Sequence, residues 1–366
     1  MFWFLSSLFA FVFAYYGQES VSRDMHMRVL SRVCLVLLLG YVIGFGGKNY
    51  VDHAHYIEMY RYVGVHDMNF FSLAEKVEGA EVGFWLLMKT LNILGINYVG
   101  FFFLVSILTN GLIVNAFYRY RYPVLALMLY MVSSIFGIQC NLVRQMLAVA
   151  IVFYILKYLE ERDWLKYIIG LIIASSIHRT AFLMIIFLPL CFVKEKVFKL
   201  LRYVLLALWL SSLLVYFGLL KIDISRYFFT FFVSDYNAYF SDMDFTRSGE
   251  QEFNVFYHFA ILLWLVFLYK NDKRDILGII VVIGGVLMNF VNEIPAVVRM
   301  SYYCSIVGYV FIPELFYNNM TKLRKYYNMF IYIYILRTAL TYANYILVKN
   351  FLFVEGRYDF FDLFRM

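Results

Sequence analysis

Apolar runs of about 17–25 residues, long enough to cross a hydrocarbon core of about 30 Å, recur along the whole 366-residue chain. Hydrophobic residues make up 63% of the chain and charged residues only 16%, at a mean hydropathy of +0.72. No stretch has both the polarity and the length of a soluble globular domain. The expected fold is therefore an all-α polytopic integral membrane protein. Residues 1–366 would form a single transmembrane domain, not a soluble enzyme on an anchor.

Hydropathy places about twelve spans, near 2–16, 30–46, 98–117, 123–139, 142–159, 165–178, 181–193, 200–220, 253–270, 275–292, 297–316 and 326–347. Loop charge orients them. Arg23, Arg28 and Arg32, then Arg119 and Arg121, then the basic runs Lys157–Lys166, Lys194–Lys199, Lys270–Arg274 and Lys322–Lys325, mark the cytoplasmic connections. Alternation puts both termini outside, with outer-face loops at 47–80 and 221–252 and short outer turns at 140–141, 178–180 and 293–296. Residues 81–95 break the parity, since a crossing there would invert the later basic loops. A re-entrant or interfacial helix resolves the conflict, because such backbone is tolerated where it lines a cavity; the alternative is a true span with one weaker segment elsewhere not crossing.

The net charge of +7 and pI near 9.0 reflect these short basic loops, so nucleic acid is not an expected partner. Cys34, Cys140, Cys191 and Cys304 all fall in apolar stretches, without metal-ligand spacing or a disulfide framework, and read as packed small hydrophobes. The segment 2–16 lacks a basic flank and a cleavage site and reads as a retained span.

With polar residues this scarce, their placement is informative. Asp52, Glu81, Arg144, His178 and Arg299 lie at or near span ends, nearly all on the outer side of this topology. Ionisable groups at membrane depth are functional-site candidates by default, and several at one face predict a single outward-opening polar cavity. The segments 165–178 and 181–193 reach only about 20 Å each as α-helices, which would sink their shared turn at His178 below the surface. Bland readings stand beside these. Arg144 could snorkel or pair with Glu293, His178 could be a satisfied buried histidine, and Arg299 an interfacial anchor. Asp52 and Glu81 could simply cap helices. Tyr56 and Tyr60 share a helical face, as a sugar platform or as part of an aromatic belt. Asp242 and Asp244 in the 221–252 loop read as solvated acids more readily than as cation ligands.

Four elements in order carry a family resemblance. They are the glycine-rich span end with its Asp-x-x-x-Tyr segment (Gly46 to Asp52 to Tyr56), and Glu81-Val82-Gly83-Phe84. After them come Asn141-Leu142-Val143-Arg144-Gln145-Met146-Leu147-Ala148 and Ala174-Ser175-Ser176-Ile177-His178-Arg179-Thr180-Ala181. Over about residues 44–190 the chain resembles the EpsG-type family of bacterial polysaccharide polymerases, which act like the Wzy O-antigen polymerases. Beyond that the likeness lies in hydropathy and around Arg299. A departure is the stretch rich in His and Glu (His53, His55, Glu58, His66, Glu75, Glu78) between the tyrosine and Glu81.

The resemblance implies a membrane glycosyltransferase of the bacterial cytoplasmic membrane that polymerises repeat units of O-antigen, capsule or exopolysaccharide. Donor and acceptor would be oligosaccharides on polyprenyl pyrophosphate, met at the outer face among membrane lipids. A chain-length regulator and a flippase would be the protein partners. No cofactor is expected and no ATP motif is required, because the pyrophosphate bond supplies the driving force; nothing in the sequence demands a metal. Arginine suits the leaving pyrophosphate through its bidentate fork, which points to Arg144, near a helix N-terminus, and Arg299. His178 would be the general base, with Asp52 or Glu81 orienting it, and Asn141, Gln145, Tyr56 and Arg179 would complete the substrate contacts. A flippase or transporter of lipid-linked glycan would favour internal repeats and polar residues spread through the membrane depth. A non-catalytic scaffold for export would need no converging His and Arg, and a ligase would share the donor chemistry.

Overall fold

The computed structural model describes residues 2–46, 51–65, 81–220, 255–268, 276–290 and 295–319. The described residues are helical, without a strand. In chain order they form α1 (Phe2–Tyr16), α2 (Met25–Gly44), α3 (Val51–Val65), α4 (Val82–Ile93), α5 (Tyr98–Phe117), α6 (Pro123–Met131), α7 (Ser134–Ile138), α8 (Val143–Glu160) and α9 (Trp164–Ile177). A 3-10 helix, Arg179–Cys191, follows, then α10 (Glu195–Tyr216), α11 (Val255–Leu263) with a π-helical extension Trp264–Leu268, α12 (Ile276–Phe290) and α13 (Pro295–Asn319). Three helices, Met25–Gly44, Tyr98–Phe117 and Lys196–Tyr216, are long and apolar enough to cross a membrane, and six apolar helices of 10–17 residues accompany them. The span expected at 326–347, the 221–252 loop with Asp242 and Asp244, and the histidine- and glutamate-rich residues 66–80 lie outside the described residues.

Two expected segments take other forms. The span drawn at 123–139 is broken after Met131, where Ser133 turns its hydroxyl onto the Tyr130 carbonyl at 2.6 Å. The segment drawn at 181–193 winds as the 13-residue 3-10 helix. At about 2.0 Å rise per residue it reaches about 26 Å, further than an α-helix of that length. Residues 81–95 do contain a helix, α4, whose 12 residues span about 18 Å, too little to cross a hydrocarbon core alone.

The chain divides into two compact units, residues Met1–Leu188 with Phe316–Met366, and Pro189–Leu315. In the first, α5 is the central pillar, with 12 of its 20 residues buried. α2 lies against it through small residues: a Cβ on Gly40 would come within 2.6 Å of Ile107, and one on Gly44 within 2.6 Å of the Phe103 backbone. Such close backbone approach is how helices associate where lipid removes the hydrophobic drive between them. α8 packs against α5 and α9, α1 against α2, and the short α4 against α3 and α9. This antiparallel stacking gathers the C-terminal ends of α2 and α9 with the N-terminal ends of α5 and α8.

The second unit pairs α10 with α12 and α11 with both the π-helical turn and α12. Two of the buried polar pairs among its described residues are neutral and matched. Trp209 Nε1 donates to His258 Nδ1 at 3.1 Å, and Asn289 Nδ2 to Ser212 Oγ at 2.9 Å. A π-helical turn displaces backbone carbonyls from their helical partners. Here Arg202 donates to the carbonyls of Leu265, at 2.6 Å, and Val266.

Candidate functional site

Four chain breaks meet in the first unit: the end of α2, the residue before α4, the turn between α7 and α8, and the turn after α9. Glu81 stands at the N-cap of α4 in extended conformation, yet its carboxylate makes no capping bond. It reaches instead to two other segments. One oxygen lies 2.9 Å from Arg144 Nη1, and the other accepts the Arg179 backbone N–H at 2.8 Å. The partner of Arg144 is thus Glu81; Glu293, the alternative drawn from the sequence, lies outside the described residues.

Gly83 makes this reach possible. A Cβ there would come within 2.7 Å of the Ser176 carbonyl oxygen, so only glycine lets the first turn of α4 lie on the last turn of α9. The Arg144 and Glu81 side chains are 17% and 19% exposed, deep enough to escape full solvent screening yet open to a ligand. Arg144 occupies the second position of α8, where the helix dipole favours anions. A guanidinium and a backbone N–H from distant segments converge on one carboxylate. The same donor set suits phosphate oxygens.

His178 ends α9, its N–H bonded to the Ala174 carbonyl at 2.9 Å, and its ring folds onto Thr180. Nδ1 lies 2.7 Å from the Thr180 hydroxyl and 3.4 Å from the Thr180 N–H. The Thr180 N–H donates to Nδ1, so in this arrangement Nδ1 turns its lone pair toward Thr180 and Nε2 carries the proton. Release of the long Thr180 N–H bond lets Nδ1–H be donated to Oγ1 instead, and Nε2 then carries the basic lone pair, which is the orientation logic of a general base held by a third group.

On the neighbouring break, the Asp52 backbone N–H donates to Asn141 Oδ1 at 3.3 Å, joining the start of α3 to the turn before α8. Asp52 sits in the first turn of α3, half-exposed, where its charge favours the helix dipole. Next to it, His53 is 1% exposed and stacks on Phe102 at 3.9 Å between ring centroids. Burial pushes its pKa down to about 4, against a hydrogen bond to the Cys140 backbone that raises it.

The other sequence candidates separate. Tyr56 is buried and meets Phe84 edge-on, and Tyr60 gives its hydroxyl to the Ile96 carbonyl at 2.6 Å. Both rings therefore build the contacts of α3 and are not free platforms. Gln145 is buried and the Arg179 side chain exposed. Arg299 falls on the first turns of α13, in the second unit, and its side chain lies outside those described. Three residues of the first unit escaped the sequence reading: Thr180, His53 and Gln139. Thr180 lies two residues after His178 in a quoted element, and His53 directly follows Asp52. Gln139 carries no local signal.

The described residues thus form a helical membrane protein in which a carboxylate–guanidinium pair and a histidine stand at converging helix ends. The chain belongs to the EpsG family, whose model matches residues 29–358, and with it to the membrane proteins of polysaccharide biosynthesis. Neither a curated protein nor a solved structure matches the chain.

Proposed function

We propose that this protein polymerises lipid-linked oligosaccharide repeat units at the outer face of the cytoplasmic membrane, within the twelve-span topology read from its loops. The observation that carries the reading is the meeting of three family elements on one carboxylate, with Glu81 held by Arg144 at 2.9 Å and by the Arg179 N–H at 2.8 Å. The donor's pyrophosphate is stabilised by Arg144 as the glycosidic carbon is attacked. The acceptor hydroxyl gives its proton to His178 Nε2, and Thr180 accepts the Nδ1–H. Polyprenyl pyrophosphate leaves with the bonding pair of the broken C–O bond, and one new C–O bond forms. Asp52 and Asn141 shape the rim.

The test is the chain-length profile of surface polysaccharide in cells whose sole copy carries Arg144→Ala or His178→Ala, at matched protein level in the membrane. Loss of long glycan with single lipid-linked repeats accumulating outside is expected. Unchanged chain length would overturn the assignment. Loss of every outward-facing repeat would point to a flippase, and normal polymer that never reaches its final carrier to a ligase.

A further inference from the structure

The turn between α7 and α8, residues 139–142, fastens several helices at once. Cys140 points its thiol at the Ile43 carbonyl, 3.5 Å away at the end of α2, and Asn141 accepts from Asp52 at the start of α3. Gln139 reaches the other way, into the core. Its amide nitrogen donates to the Tyr130 hydroxyl and to the Phe136 carbonyl at 3.3 Å, and its amide oxygen accepts from Asn110 Nδ2 at 3.3 Å. Asn110 in turn donates to the Ser106 carbonyl at 2.9 Å and accepts from Tyr130 at 3.4 Å. Gln139, Asn110 and Tyr130 are 3%, 0% and 0% exposed, so this is a closed polar triangle in an apolar core. Such networks, when fully satisfied, fix one arrangement, because any shift strands a polar group without water to replace the bond.

The path from Gln139 to Arg144 is stiff. The Leu142 N–H bonds to the Ile138 carbonyl at 2.9 Å, and the Met146 N–H to the Leu142 carbonyl at 2.8 Å, so helical-type bonds bridge the break. Holding Gln139 therefore holds the Arg144 backbone. From this geometry we infer that Gln139, locked by Asn110 and Tyr130, is a positioning residue that sets where the Arg144 guanidinium sits for the reaction proposed above. It touches no substrate; it acts through the rigid turn. The triangle explains why amide and phenol groups are buried here while the arginine five residues on stays near the surface.

The experiment reads Arg144 directly. Full-length protein in lipid nanodiscs is treated with phenylglyoxal, an arginine-selective dicarbonyl, and modification is followed at each arginine by peptide mass spectrometry. Polymerisation of a lipid-linked repeat unit is measured in parallel. In Gln139→Leu, Arg144 should react about fivefold faster, the equilibrium worth of roughly one net hydrogen bond, while Arg32 and Arg162 keep their rates. Polymerisation should fall about tenfold, mainly in kcat, as expected for a misplaced group acting in the transition state. An unchanged Arg144 rate overturns the inference, whatever the activity does. A faster Arg144 with unchanged polymerisation keeps the positioning role and removes Arg144 from the chemistry, which is a failure of the proposed function alone. If Gln139→Leu also speeds Arg32, Tyr130→Phe decides, since it removes one hydroxyl and keeps the ring. A smaller rise confined to Arg144 supports the triangle, and no rise overturns it.

Discussion

At one end of the first unit, Arg32 and Arg119 lie over the rings of Tyr118 and Tyr154, at 4.0 and 3.9 Å, and give hydrogen bonds to the carbonyls of Gly17 and Tyr154. Lys157 and Lys166 lie over Tyr158 beside them. At the other end, Arg144 meets a carboxylate that also holds a backbone amide. The residue type is the same and the environment decides its use. A guanidinium over a ring, with carbonyl acceptors, has its needs met by groups that no substrate would displace. Such an arginine anchors a helix end. A guanidinium paired with a carboxylate at a helix N-terminus, only 17% exposed, is held by charge and not by a ring.

The contrast is tested most sharply by removing the arginines themselves. Arg144→Ala should cut long-chain polysaccharide at least about a hundredfold, the scale on which a donor to developing charge acts. Arg32→Ala should leave the chain-length profile near normal. Glu81→Ala should destabilise by about 3 kcal/mol, because it leaves a half-buried cation and the Arg179 amide without their acceptor. Denaturation in detergent would read that loss. The double exchange Glu81→Arg with Arg144→Glu should recover much of the stability and none of the polymer. Recovery of polymer would make the pair structural.

Proton binding separates the ends as well. His53, stacked on Phe102 next to Asp52, has its pKa lowered by burial to about 4 from 6.5 in the folded state. The unfolded chain then binds more protons between those values, so stability rises with pH across that window. The contribution is fully present above pH 6.5 and is lost as pH falls toward 4, about 3 kcal/mol in all. His53→Phe, which keeps a ring against Phe102, should flatten that part of a melting-against-pH curve. The smallest effect belongs to the basic end, where Arg119→Ala should cost about 1 kcal/mol, the worth of an exposed cation–ring contact with one hydrogen bond. A larger loss there would blur the distinction.

Hydropathy alone located α1 and α5 to the residue, because their apolar runs coincide with their helices. It started α2 near residue 30, five residues late. The helix begins at Met25, where Asp24 accepts the His26 N–H at 2.9 Å, a capping signal that hydropathy does not register. The break after Met131 and the 3-10 winding of Arg179–Cys191 were invisible for a related reason, since neither changes the apolar character of its segment. Glu81, Arg144 and His178 stood out because charge is rare at span ends. Their pairing did not. Which carboxylate meets which arginine depends on how Gly83 lets two helix ends touch, and on where a buried amide triangle holds a turn.

The Glu81 carboxylate also sets an order of assembly. Its second partner, the Arg179 amide, lies 98 residues further along the chain. At synthesis rates of about 5–20 residues per second, Glu81 emerges roughly 5–20 s before that amide. The complete contact around Glu81 therefore does not exist on the growing chain until α9 and the turn after it have been made. A nascent protein released before residue 179 would carry helices but leave the Glu81 carboxylate without this amide, so the three-way contact arrives with the last of these segments and does not grow in by degrees.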